Sequence, residues 1–195
     1  MALQIIRKAD KRVVKAFTTK CADIPGGVTV SSADLVQPIL LEGTPVGKGA
    51  DNLYHVIKTA VATATSGSTA TTYTVAKGHD FKVGDVIATG LKKKASTISS
   101  IATSEDDATM DVITCSATLG EGVAVGDVLI QAKAATTSNA SAFKYEPVGL
   151  VGESYDVDYV GSNLVNVVLI GVLKASNAPK MNADVKATLT NIIYI

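Results

Sequence analysis

The chain has no tryptophan, and aromatic residues make up only 5% of it. A core must therefore be filled by Val, Ile, Leu and Ala, which favours pleated, half-buried surfaces over large aromatic platforms. Cysteine is nearly absent too. Cys21 and Cys115 lie far apart and outside any Cys-x-x-Cys pair, which argues against a disulfide framework and a cysteine zinc site and leaves two buried or idle thiols. Histidine is limited to His55 and His79. His55 stands between Tyr54 and Val56 and reads as a strand-surface or core residue; His79, in Lys77-Gly78-His79-Asp80, reads as turn chemistry. There is no His-Glu-x-x-His, no Gly-x-Ser-x-Gly and no Cys near a His. The positioned nucleophile and base that catalysis needs are missing, so the expectation is no enzyme, no cofactor and no metal.

Charge of one sign is also lacking. Lys plus Arg is 18, Asp plus Glu is 18, and the formal net charge is zero. A basic field for nucleic acid is absent. The most apolar stretch, residues 165–173, is interrupted by Asn166 and Gly171 and is too short to span a bilayer. The first twenty residues have charges but no apolar run of the kind a signal peptide carries. The chain is expected to be soluble and made in a cytoplasm, with neither nucleic acid nor membrane as partner.

What is present is enough for one ordinary domain or two small ones: 195 residues, 47% hydrophobic, sufficient to bury a core. Short branched segments alternate with Gly, Pro, Ser and Thr clusters, the texture of strands joined by tight turns. The predicted fold class is mainly β, with small barrel or sandwich units and one short C-terminal helix. Ile24-Pro25-Gly26-Gly27 marks a turn. Strands are expected at 28–30, 36–41 and 53–58, with a Gly/Pro loop at 42–49. Residues 59–72 and 132–142 are low in anchoring side chains and read as polar linkers or long hairpins. Residues 164–174 read as a central strand. Asn182 is a candidate N-cap for a helix reaching Leu189, and residues 192–195 are expected to pair in a sheet.

An internal echo stands out. Phe81-Lys82-Val83-Gly84-Asp85-Val86-Ile87 matches Val123-Ala124-Val125-Gly126-Asp127-Val128-Leu129, 42 positions on. Glycine permits a tight turn and Asp can bond the backbone beside it. Gly84 and Gly126 are therefore predicted to occupy equivalent turns at the edges of one barrel, each leading into an inward-facing strand. The two polar stretches and the basic first segment suggest three parts: an N-terminal arm at 1–20, an outer β unit from 21–59 and 143–195, and an inserted barrel-like unit at 60–142.

Three motifs bear on binding. Gly43-Thr44-Pro45-Val46-Gly47-Lys48-Gly49 has the wrong spacing for a phosphate loop, and Pro45 removes a backbone donor. Ser104-Glu105-Asp106-Asp107 lacks the alternating ligands of a calcium loop and reads as a solvated turn. Lys92-Lys93-Lys94 has no aromatic residues beside it for base stacking and reads as a polar hairpin tip. The arm is different. Arg7, Lys8, Lys11, Arg12 and Lys15 are interleaved with Ile5, Ile6, Val13 and Phe17. A basic strip with apolar teeth is suited to lie on an acidic partner surface, and these residues are the candidate partner-binding set.

Several segments resemble the phage head proteins that coat the outside of a capsid, the decoration and head-fibre proteins. The resemblance is carried by Ile39-Leu40-Leu41-Glu42-Gly43-Thr44-Pro45-Val46-Gly47, by Leu53-Tyr54-His55-Val56-Ile57-Lys58 and by the two Val-Gly-Asp-Val pieces. It continues in Leu169-Ile170-Gly171-Val172-Leu173-Lys174, Asn177-Ala178-Pro179, Val185-Lys186, Leu189 and residues 192–195. It covers about half the chain. It implies a structural virion protein on the capsid exterior, made in a bacterial host and free of catalysis. Its partners would be the major capsid protein and other copies of itself, a trimer being the first expectation. The alternative is a receptor- or carbohydrate-binding adhesin module.

Overall fold

The computed structural model describes residues 14–195. In chain order the strands are β1 (Phe17–Asp23), β2 (Val28–Val30), β3 (Ile39–Leu40), β4 (Pro45–Lys48), β5 (Tyr54–Val56), β6 (Thr59–Val61), β7 (Thr72–Ala76), β8 (Val86–Ala88), β9 (Ala95–Thr103), β10 (Met110–Cys115), β11 (Val128–Gln131), β12 (Pro147–Val151), β13 (Tyr155–Asp156), β14 (Asn163–Val165), β15 (Val167–Leu173) and β16 (Ile192–Tyr194). The α-helix α1 spans Ala183–Thr188, and Asn182 caps it by accepting the Asp184 N–H. The mainly β class with one short C-terminal helix is what the branched-residue pattern and the capping signal predict.

The strands fall into two principal sheets. The eight-stranded sheet runs β1-β15-β12-β4-β5-β2-β14, with β16 added parallel to β15. β15 is central, and its Val167, Val168 and Leu173 are fully buried. Branched side chains suit that position because they pack against neighbours on a pleated surface. Val30, Leu40, Val46, Val56, Val151 and Val167 fill one core beneath this sheet. A second core joins Phe17, Leu150 and Leu173 to Val185 and Leu189 at the helix, and to Ile57, Ile130 and Phe143 at the junction with the other sheet.

The second sheet has six strands in the order β6-β11-β8-β9-β10-β7, all drawn from residues 59–131. It curls until its ends meet, where Ala62 bridges Val75 and the Thr63 N–H donates to the Thr74 carbonyl at 2.9 Å. Tyr73, Val75, Ile87, Ile98, Ile113, Leu119 and Leu129 fill its interior. Residues 59–61, expected in a polar linker, are strand β6, and Ala60 and Ala62 are buried. Ala60 and Ala62 join Tyr73 and Ile87 in the core that fills the curled sheet. The strand expected at 36–41 shortens to β3, since Val36 and Gln37 instead give their N–H groups to the Asp80 carboxylate.

The internal echo is a structural repeat. Gly84 and Gly126 have φ of +93° and +91°. In each copy the Asp N–H closes the turn on a carbonyl three residues back, Lys82 in one and Ala124 in the other, both at 3.1 Å. In each copy the Asp carboxylate accepts the N–H of that same residue, at 2.9 and 2.8 Å. Gly84 and Asp85 clasp Ile98 in β9 through their N–H and carbonyl, and Gly126 and Asp127 clasp Ala62 beyond β6 in the same way. Phe81 and Val123 are buried, whereas Val83 and Val125 are 62% and 64% exposed. Because β8 and β11 are antiparallel neighbours, the three-stranded unit β8-β9-β10 corresponds to β11-β6-β7 about an approximate two-fold axis. The second unit is completed by strands that precede the first in the chain.

Candidate partner-binding surface

Several buried polar groups are paired within the chain. His55 is sandwiched: Nδ1 faces the Asp34 carboxylate, Nε2 lies 3.1 Å from Asp51, and the ring stacks on Tyr145 at 4.0 Å. The His55 contact holds the Asp51 carboxyl below its ordinary range. Burial, then the charges of Asp34 and Asp51, push the Tyr145 hydroxyl up. A His–Asp pair acts as a base only when its second nitrogen faces a nucleophile or substrate; here Asp51 fills that place. The ring therefore pins the 49–55 turn.

At the junction of the two sheets, Lys58 donates from a buried ammonium to Asp85 at 2.8 Å, and the Gln131 amide donates to the other Asp85 oxygen at 2.8 Å. Such a pair is costly to break once formed, because either partner alone is a buried unpaired charge. His79 accepts the Phe81 N–H at Nδ1. Burial pushes its pKa down, against the opposing charges of Asp111 and Asp80. Among the described residues, no group of three or more His, Cys, Asp or Glu side chains is placed to hold a metal ion, and no helix is long and apolar enough to cross a membrane.

The contact features lie on the surface. β1 is an edge strand of the large sheet. Its first turn of backbone is anchored by Glu42, which is buried and accepts the Ala16 N–H at 2.7 Å; Lys20 lies 3.6 Å from the same carboxylate. On the solvent side of this corner, Ile170 and Val172 of β15 point outward, and Val172 pairs with Ile193 of β16, which is 61% exposed. Val14 and Ile195, at the ends of the described chain, are exposed as well. Contiguous apolar patches on a folded surface, where they are large, mark contact sites.

Of the residues singled out in the sequence, Ile5, Ile6, Arg7, Lys8, Lys11, Arg12 and Val13 lie outside the described residues. Lys15 is exposed, and its carbonyl accepts from Asn177. Phe17 is a correction: it is buried in its own chain's core, where Leu173 pairs with it across β1–β15. Residues 17–20 likewise belong to strand β1 and not to a separate arm, because they pair antiparallel with β15, with a register irregularity between Phe17 and Thr19. Sequence reasoning missed Glu42, whose loop position gave no sign of burial, and the β15–β16 strip. The strip was partly legible in the apolar ending at residues 192–195. No protein family, curated protein or solved structure matches the chain.

Proposed function

We propose that this chain is a structural virion protein that decorates the outside of a phage capsid, binding the major capsid protein and neighbouring copies. The observation that carries the reading is the outward Ile170–Val172–Ile193 strip beside β1, the strand that follows the basic N-terminal segment in the chain. A stable contact needs about 1,000 Å² of buried surface or more. Three side chains are short of that, and the interleaved basic and apolar residues 1–13 are suited to supply the rest. The energy of such an interface comes from burial at its centre, with charges at the rim setting orientation and association rate. The adhesin reading has less support: the groove on the curled sheet is lined by hydroxyls such as Ser96, Ser116 and Thr136, and no aromatic ring lines it.

The test is co-sedimentation of the purified protein with phage shells that lack their outer proteins. Binding to saturation is expected for the full chain. A chain beginning at Val14, and an Ile170→Asp/Ile193→Asp variant, should each remain in the supernatant while melting like the parent. Failure of the full chain to sediment with any shell, or undiminished sedimentation of both variants, overturns the proposal.

A further inference from the structure

We infer that the cleft at the junction of the sheets is a binding site for a small organic cation, an ammonium group carried on a compact apolar body. The site shares no residue with the strip assigned to the shell, and its occupancy is read without a shell.

The cleft is formed by separate segments: residues 37–41, Thr44 and Pro45, residues 56–59, residues 78–80, and Pro179. They come from the β3–β13 pair, from β4 and β5 of the large sheet, from β6 of the curled sheet and from loops. Cross-ties fix the walls. The Gln37 amide donates to the His79 carbonyl and the Thr59 hydroxyl to the Lys180 carbonyl, both at 3.1 Å. One oxygen of the Asp80 carboxylate accepts the Val36 and Gln37 N–H groups, at 2.7 and 3.1 Å. A concave site that is formed before its ligand arrives is the usual setting for a small molecule.

Size and wall chemistry bound the guest. Pro38, Ile39, Leu41, Pro45, Ile57 and Pro179 give the cleft apolar walls around a volume of about 260 Å³. A water takes up about 30 Å³ of the liquid, so the space suits a body of about nine non-hydrogen atoms.

Charge decides the class. The ionisable lining side chains are Lys58, His79 and Asp80. Lys58 is buried, and its charge is answered by Asp85 at 2.8 Å. His79 accepts the Phe81 N–H at Nδ1, and burial lowers its pKa below 6.5, so the ring adds no charge at neutral pH. Asp80 is different. Among the described residues no lysine stands within ion-pair distance of it: Lys77 is drawn to Asp111 at 3.7 Å, and the Lys82 ammonium donates to the Ala33 carbonyl. The second Asp80 oxygen accepts no hydrogen bond from a described residue. The lining therefore carries one unanswered negative charge in an otherwise apolar wall. A neutral apolar guest would strip water from that oxygen and return nothing. An ammonium would return a charge-assisted hydrogen bond, stronger in a partly dry cleft than in water. An anion would be repelled.

Calorimetric titration of the full chain at neutral pH and low salt tests this. The probe is 2-phenylethylamine, with 2-phenylethanol as its neutral isostere and phenylacetate as the anion. The amine should bind saturably at one site per chain, and the alcohol at least about tenfold more weakly, the loss of one hydrogen bond to a charged group. Phenylacetate should give no heat of binding. Asp80→Asn keeps an oxygen for the Val36 and Gln37 N–H groups, so it should melt like the parent and bind the amine no better than the alcohol. Amide chemical shifts of the unaltered chain locate the site independently of that variant: the amine should move the signals of Leu41, Ile57 and Gly78. No saturable amine binding at millimolar concentration overturns the inference. So do equal affinities for amine and alcohol in the wild type, an amine preference that survives Asp80→Asn, or shift changes confined to other residues.

Discussion

The two Gly-Asp turns allow an unusually controlled perturbation. Valine at Gly84 or Gly126 would have to adopt φ of +93° or +91°, a region where a β-branched residue is a genuine outlier. A Cβ at either position meets nothing within 4 Å, so no clash with neighbours contributes. Backbone strain is the whole effect, about 1–3 kcal/mol at each site. For a chain of this size that lowers the melting temperature by about 2–4 °C for each kcal/mol. Since the two turns share hydrogen bonds and exposure, the two losses should agree within about 0.5 kcal/mol. Gly67 supplies the control: a Cβ there also meets open space, and its φ is not positive. Gly67→Ala should be neutral or stabilising by up to about 1 kcal/mol, through the unfolded chain. Urea unfolding of the variants reads all three. Parent-like stability for Gly84→Val and Gly126→Val, or a large loss at one turn only, would refute the equivalence of the repeats.

Other outcomes follow from the same contacts. Lys58→Met should leave Asp85 buried without its countercharge and cost about 3–5 kcal/mol in urea unfolding. Asn182→Ala removes the helix cap and the amide bonds to the Thr89 and Val128 carbonyls, so a loss of about 2–3 kcal/mol is expected by the same assay. His79 titrates below its ordinary value of 6.5 because it is buried. Just below that pH the unfolded chain therefore holds more protons than the folded one. Stability is full above about pH 6.5 and falls as pH drops, until the folded ring protonates as well; His79→Asn should flatten that slope in melts taken from pH 7 to 5. Burial pushes the Cys115 thiol up to about 11 while Cys21 is exposed, so a thiol reagent at neutral pH should label one cysteine quickly in the folded protein and both in urea.

Local chemistry was sufficient for part of this architecture. The turn at Pro25-Gly26, the helix start at Asn182, the strand at 167–173 and the paired Gly-Asp turns each rest on a preference that acts within a few residues: positive φ at glycine, a side-chain cap, branched residues on a pleat. The remainder depended on which distant segments meet. Residues 59–61 look like linker until β11 lies beside them and their alanine is taken into the core of the curled sheet. Phe17 reads as a tooth for a partner until β15 offers it a pairing edge and a core. Glu42 and His55 become anchors only because Ala16, Lys20, Asp34 and Asp51 converge on them from separate elements. The outward strip needs β16 parallel to β15, and the cleft needs Gln37 to meet His79 and Asp80. Burial and charge pairing are set by long-range contacts, and the hydrophobic and electrostatic terms that stabilise them carry no mark of sequence separation.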